Sequence, residues 1–133
     1  MSTDDRLRTH PKDRLAPPVQ LIDLTEAAVR LRAEAHASIA GHRQLALVRR
    51  GSVSLILFAF EAEGFLKEHQ AEGEVTIQVL AGRLEVTVAG EVLSIGAGQL
   101  VSLASGQSHS VRALETSDML LTICKVAVES KPH

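Results

Sequence analysis

At 133 residues the chain is long enough for one domain with a sizeable core, and because it is 45% apolar but only 2% aromatic, that core must be packed from aliphatic side chains, which favours strands. The net charge of −2 carries no strong block of one sign, so the electrostatic footprint of a nucleic-acid or acidic-membrane partner is missing and neither is expected. One cysteine excludes an intrachain disulfide, the N-terminus is polar, and no apolar stretch reaches the roughly 18 residues of a membrane span, so we predict a cytoplasmic protein.

The N-terminal part of the chain predicts a tail and then one helix. Residues 1–20 mix acidic and basic side chains with three prolines and are expected to form the tail. Asp23 and Glu26 have the spacing of a helix-capping box. Gly41 is a natural stop, so the helix is expected over about 24–40. Its apolar residues at helical spacing are Leu24, Ala28, Leu31, Ala35 and Ile39.

From Leu45 the hydrophobic period changes to two, which predicts strands over about 45–128. Turn signals recur about every ten residues, as in antiparallel sandwiches and barrels. Cys124 lies in the last apolar run and is expected to be a small buried side chain. The predicted strands are 45–49, 53–61, 75–80, 82–88, 92–95, 100–103, 108–113 and 118–128.

The predicted strand 53–61 is apolar on both faces. One face carries Val53, Leu55, Leu57 and Ala59, and the other carries Ile56, Phe58 and Phe60. A monomer would leave one face as an exposed hydrophobic patch. We therefore expect a homodimer.

Two stretches resemble the sequence signatures of the cupin family. Gly98, Gly106 and His109 fall in register with the second signature, while Ala104 and Ala113 replace its proline and asparagine. The segment from Gly64 to Gly82 resembles the first signature, including its closing hydrophobic strand. The resemblance implies an all-β fold, an antiparallel double-stranded β-helix or jelly-roll barrel, with a short N-terminal helix. Residues 21–133 would form this single cupin domain.

The resemblance also implies a site at the barrel mouth. Typical cupins hold a divalent first-row metal with two histidines, a carboxylate or amide, and a last histidine. His69 and His109 match the first and last positions, whereas Ala71 and Val75 stand at the other two. The cofactor is thus expected to be either none or a divalent transition metal bound by His69 and His109. A loop adjustment would let Glu72 or Glu74 complete the metal site, and Gln78 is a further pocket candidate.

Three classes of function remain open. The first is a small-molecule-binding cupin whose pocket contains His69, Gln78 and His109. The second is a cupin enzyme, either a metal-dependent oxygenase or isomerase, or a metal-free isomerase or epimerase that uses His69 and His109 as acid and base. The third is an interaction module. The first is favoured because two ligand positions are apolar; its expected apolar lining is Val75, Ile77, Val79, Leu100 and Val111.

Other polar side chains have weaker patterns. Arg83 and Arg112 would suit a ligand carboxylate geometrically, but surface ion pairs are the commoner use of such arginines. The remaining histidines have no spacing partner and are expected on the surface: His10, His36, His42 and His133.

Overall fold

The computed structural model describes residues 17–34 and 40–125, and these form one helix and nine strands. None of the helices in these ranges is long and apolar enough to cross a membrane. The elements are α1 (Leu24–Arg32), β1 (His42–Arg50), β2 (Val53–Phe60), β3 (Phe65–His69), β4 (Glu74–Ala81), β5 (Arg83–Val88), β6 (Glu91–Gly96), β7 (Leu100–Leu103), β8 (His109–Ala113) and β9 (Ser117–Cys124).

The strands form two antiparallel sheets. The larger sheet has the order β1-β2-β9-β4-β7 and the smaller one β3-β8-β5-β6. Alternating residues of both sheets meet in one apolar core, as the period of two requires. The predicted jelly roll with a short N-terminal helix is confirmed. The core is built mainly from Phe58, Phe60, Val75, Ile77, Val79, Leu84, Val86, Ile95, Leu103, Val111, Met119 and Leu121.

Helix α1 begins where its capping residue predicts but is shorter than expected. The Asp23 carboxylate accepts a hydrogen bond from the Glu26 backbone N–H at 3.0 Å, which satisfies one of the unpaired donors of the first turn. Glu26 pairs with Arg30 at 3.8 Å. The helix ends at Arg32 instead of continuing to about residue 40, and the predicted helical positions Ala35 and Ile39 lie outside the described residues.

The helix covers the outer face of β2. Ala28 and Leu31 pack against Leu57 and Ala59, and all four side chains are buried. This face is therefore not an exposed patch in the monomer, contrary to expectation, because the chain covers it with its own helix. The homodimer itself stays a prediction.

Arg32 fastens the end of α1 to the barrel. Its guanidinium donates to the backbone carbonyls of Phe60 and Ser117, both at 3.1 Å, and pairs with the Asp118 carboxylate. These three acceptors lie at the adjoining ends of β2 and β9, which are paired strands. The helix is thus held over the sheet by polar contacts as well as by apolar packing.

Three expectations about single elements need correction. Strand β3 lies between the predicted strands 53–61 and 75–80, where no strand was predicted, because Phe65–His69 carries two charged residues and no apolar alternation. Cys124 is exposed instead of buried, because it ends β9, with its Sγ 3.9 Å from Ser52 Oγ. His42 is half-buried, with its ring 5.5 Å from those of Phe58 and Phe60. Residues 1–16 of the tail, residues 126–128 of the last predicted strand, His10, His36 and His133 lie outside the described residues.

Gly82 joins β4 to β5 at a point where a side chain has no room. Its φ is +89°, and an added Cβ would lie 2.5 Å from the Thr116 carbonyl oxygen and 2.8 Å from Ser117 Cα. Gly98 has a similar φ of +86°, yet an added Cβ would meet nothing within 4 Å. Substitutions at these two positions therefore distinguish the free-energy cost of backbone strain from that of steric overlap.

We expect Gly82→Ala to destabilise the fold more than Gly98→Ala. Both variants should lose about 1–2 kcal/mol from the left-handed backbone. Gly82→Ala should lose a further 1–3 kcal/mol or so, because backbone atoms must move apart. Urea unfolding followed by circular dichroism measures both free energies of unfolding. Equal losses in the two variants would show that the contact with residues 116–117 adds nothing to the cost.

Candidate functional site

The two histidines that match the cupin signatures lie opposite each other on paired strands. His69 ends β3 and His109 begins β8, and the two residues are cross-strand partners. The register shifts between Leu66 and His69, so β3 has one residue more than β8 over this stretch. Such a bulge turns the residues beyond it to the other face. His69 therefore joins His109, while Glu68 is exposed and accepts a hydrogen bond from the Ser108 hydroxyl at 2.6 Å.

The backbone fixes the tautomer of both imidazoles in the same way. His69 Nδ1 is 2.8 Å from the Lys67 carbonyl oxygen, and His109 Nδ1 is 3.1 Å from the Gln107 carbonyl oxygen. A carbonyl only accepts, so each Nδ1 carries the hydrogen. In the neutral ring Nε2 is then a bare acceptor. Within the described residues neither Nε2 has a hydrogen-bond partner, and no hydrogen bond joins the two rings, whose centroids are 4.4 Å apart at 58°.

The two rings form one wall of a cavity of about 400 Å³. His109 is only 2% exposed, whereas His69 is exposed at the mouth. Every fully buried polar side-chain atom in the described residues has a hydrogen-bond partner. Because Nε2 of His109 has none, this atom is not fully buried and is open to the cavity. The opposite walls are aliphatic, and the full lining is His69, Gln70, Ala71, Glu72, Val75, His109, Leu121, Ile123 and Lys125.

Two of the predicted polar site residues lie elsewhere. Val75 faces the cavity, so its neighbour Glu74 points to the other side of β4, where its carboxylate accepts from the Ser105 N–H at 3.3 Å. Gln78 alternates with the buried Ile77 and Val79 and so lies on the outer face of the sheet. Neither Glu74 nor Gln78 reaches the cavity.

The expected apolar lining needs a similar correction. Val75 lines the cavity, but Ile77, Val79 and Val111 are buried in the core beyond it. Leu100 is 52% exposed on the outer face, opposite Gln78. In place of these side chains β9 supplies Leu121 and Ile123, which pair with Ile77 and Val75.

Arg83 and Arg112 bind other parts of the protein. Arg112 pairs with Glu63 and, at 3.1 Å, with Glu85, and hydrogen bonds to these carboxylates raise the pKa of its guanidinium. Arg83 donates to the Ser94 hydroxyl at 3.1 Å. Neither arginine lines the cavity. Arg112 forms the expected surface ion pairs, whereas Arg83 donates to a hydroxyl group.

Burial lowers the pKa of the His109 imidazole from its ordinary value of 6.5, because the charged ring would lose hydration. The bond to the Gln107 carbonyl acts in the opposite direction, and the charge that His69 can carry lowers the pKa further. His109 is therefore a neutral acceptor at pH 7.

Residues 56–124, more than half of the chain, match the family model described as Cupin domain. The chain belongs to the cupin family. None of the curated proteins matches it.

Solved cupin-like structures share its fold at low sequence identity. A conserved protein of unknown function from Streptococcus pyogenes is 21% identical with a TM-score of 0.67, covering 85% of this chain and 93% of its own. A cupin superfamily protein from Desulfitobacterium hafniense DCB-2 is 16% identical with a TM-score of 0.66, covering 84% and 95%. KdgF from Halomonas sp. is 19% identical with a TM-score of 0.61, covering 71% and 89%. Identities this low show the fold alone.

The donor set of this cupin does not fit the four-ligand metal site of typical members. Two imidazoles face the cavity, while Ala71 and Val75 line it where two further donors would stand. Glu74 points away. Glu72 does line the cavity, but the described residues contain no group of three or more His, Cys, Asp or Glu side chains arranged to hold a metal ion. First-row metals in proteins usually need three or four fixed donors. The two histidines alone therefore do not make such a metal site.

Sequence reasoning missed the residues that β9 contributes. Leu121 and Ile123 lie some 50 residues from His69, and only the pairing of β4 with β9 brings them to the site. Lys125 follows directly on β9 and also lines the cavity. Nothing in the spacing of residues 118–128 indicates which strand they join.

The titration of His109 tests its burial. Its imidazole should titrate below pH 6.5, as followed by the ring nitrogen and carbon signals in NMR. Because the folded protein takes up this proton less readily than the unfolded chain does, the stabilisation by neutral His109 is complete above about pH 6.5 and is lost as the pH falls through the folded-state pKa. In His69→Gln the pKa should rise slightly but stay below 6.5. A full return to 6.5 in that variant would show that His69, not burial, sets the shift.

Metal content tests the donor set. Protein purified without chelator or affinity metal should contain well under one equivalent of transition metal per chain, because two imidazoles alone bind such ions weakly. Elemental analysis measures this content. Stoichiometric iron, manganese, nickel or zinc that is lost in His109→Ala would contradict the prediction and favour the oxygenase reading.

Proposed function

We propose that this cupin binds a small organic molecule in the cavity formed by β3, β4, β8 and β9, without a full metal site. The observation that carries the proposal is the acceptor Nε2 of His109: the residue is only 2% exposed, yet this atom has no partner among the described residues and is open to the cavity. A hydrogen bond from a ligand to this acceptor would contribute about 0.5–1.5 kcal/mol net to binding.

The cavity has the composition of a small-molecule site. Ala71, Val75, Leu121 and Ile123 give it an aliphatic side, and the paired imidazoles give it one polar wall. Gln70, Glu72 and Lys125 complete the lining, and placed polar groups beside an aliphatic surface are typical of such sites. The aliphatic side would bind the body of the ligand, and the imidazoles would orient it.

A metal-free isomerase or epimerase is the second candidate, because the same pair could transfer protons. Neutral His109 is suited to accept a proton from a substrate carbon at Nε2. The reaction would require His69 to start in its protonated form and to return a proton to the substrate from its own Nε2, so that the charge passes from His69 to His109. The 4.4 Å between the ring centroids allows both to contact one small substrate.

A cytoplasmic location belongs to the same proposal. It rests on the single cysteine, which suits a reducing compartment.

A thermal-shift screen of organic acids, sugars and aromatic metabolites tests the binding function. At a hundred times its dissociation constant, a specific ligand should stabilise the wild type by about 2.7 kcal/mol. His69→Gln and His109→Gln should lose most of this gain. Glu74→Gln should keep it, because Glu74 adjoins Val75 but points away from the cavity.

Equal stabilisation of all four proteins would contradict the proposal. It would place the ligand outside the cavity, and an interaction module would then become the better reading. Turnover of a hit by the wild type but not by either histidine variant would favour the isomerase.

A further inference from the structure

We infer, on the basis of the proposed function, that the cavity selects a neutral molecule with two neighbouring hydroxyl groups on an apolar body. Both rings use Nδ1–H for a backbone carbonyl two residues earlier in the chain. Each neutral ring therefore presents an acceptor, and only an acceptor, to a ligand. Two acceptors side by side require two donors.

A vicinal diol supplies two neighbouring donors. The rings are cross-strand partners with centroids 4.4 Å apart, and no hydrogen bond joins them. Each Nε2 therefore needs a donor of its own, and these donors must be neighbours in the ligand. Two hydroxyl groups on adjacent carbons meet this requirement. A single hydroxyl would leave one acceptor unpaired.

The other charged groups of the cavity do not favour an anion. Glu72 and Lys125 are the charged side chains that line it beside the histidines in the described part of the chain. Their charges are opposite, so together they favour neither sign of ligand. A carboxylate would also place its lone pairs against those of His109 Nε2, and it would bind only after a proton was taken up.

The remaining wall defines the body of the ligand. Val75, Leu121 and Ile123 offer aliphatic contact and no hydrogen bond from their side chains. A polyhydroxylated sugar would leave several hydroxyl groups against this wall without partners, and each such group is costly to bury. A hydrocarbon ring or chain with polar groups on one edge fits better.

Four matched probes separate donor from acceptor and neutral from charged ligands. They are trans-cyclohexane-1,2-diol, its monomethyl ether, its dimethyl ether, and cyclohexanecarboxylate. Methylation removes a donor and keeps the oxygen and the ring. Binding to the wild type is followed through the Nε2 signals of His69 and His109 in ¹⁵N-detected NMR at pH 7.5, with Glu74→Gln as the control protein.

The diol should shift both Nε2 signals. Each methylation should weaken binding by about tenfold, the scale of one lost hydrogen bond. Below the pKa of His109 the affinity for the diol should fall by up to tenfold per pH unit, because a protonated Nε2 no longer accepts. His109→Gln should lose the selectivity for the diol over its dimethyl ether.

Three results would overturn the inference. They are binding of the dimethyl ether as tight as that of the diol, cyclohexanecarboxylate binding that tightens on acidification, and no shift of either Nε2 signal by the diol at millimolar concentration. Each leaves the proposed function standing if the thermal-shift screen yields a ligand that depends on the histidines. If that screen also yields none, both proposals fall.

Discussion

The packing of the two sheets against each other is the constraint on which the rest of the structure depends. Successive side chains of a strand point to opposite faces, so contact with the shared core decides the side of every residue. In β4 this places Val75, Ile77 and Val79 inside and Glu74 and Gln78 outside. The chemistry at the barrel mouth is therefore determined by register. A residue one position away from a ligand position cannot replace it.

The bulge in β3 is the one local departure from this alternation that matters for the site. Leu66 packs against the core, so an unbroken strand would turn Glu68 inward and His69 outward. The extra residue reverses this order, and His69 then faces the same side as His109. A carboxylate beside His109 would raise the pKa of the imidazole, whereas the actual neighbour lowers it. The bulge thus places an imidazole, and not the Glu68 carboxylate, beside His109.

The sequence predicted the barrel well and the site in part, for physical reasons. Strands β4 to β8 were predictable because apolar alternation and turn residues are local signals. Strand β3 was not, because its exposed face and its bulge leave no alternation in Phe65–His69. His69 and His109 were identified by their spacing from the signature glycines. The contribution of β9 depends on a pairing between segments some 50 residues apart, which no local pattern encodes.

The apolar residues at two of the four expected ligand positions change what the remaining histidines do. A metal would occupy both Nε2 lone pairs and would define the ligand by its own coordination chemistry. With Ala71 and Val75 in the lining, the lone pairs face the cavity directly. The bonds from Nδ1 to the Lys67 and Gln107 carbonyls leave Nε2 of each neutral ring as an acceptor. In the proposed function this wall selects hydrogen-bond donors, and burial of His109 keeps its imidazole neutral at pH 7.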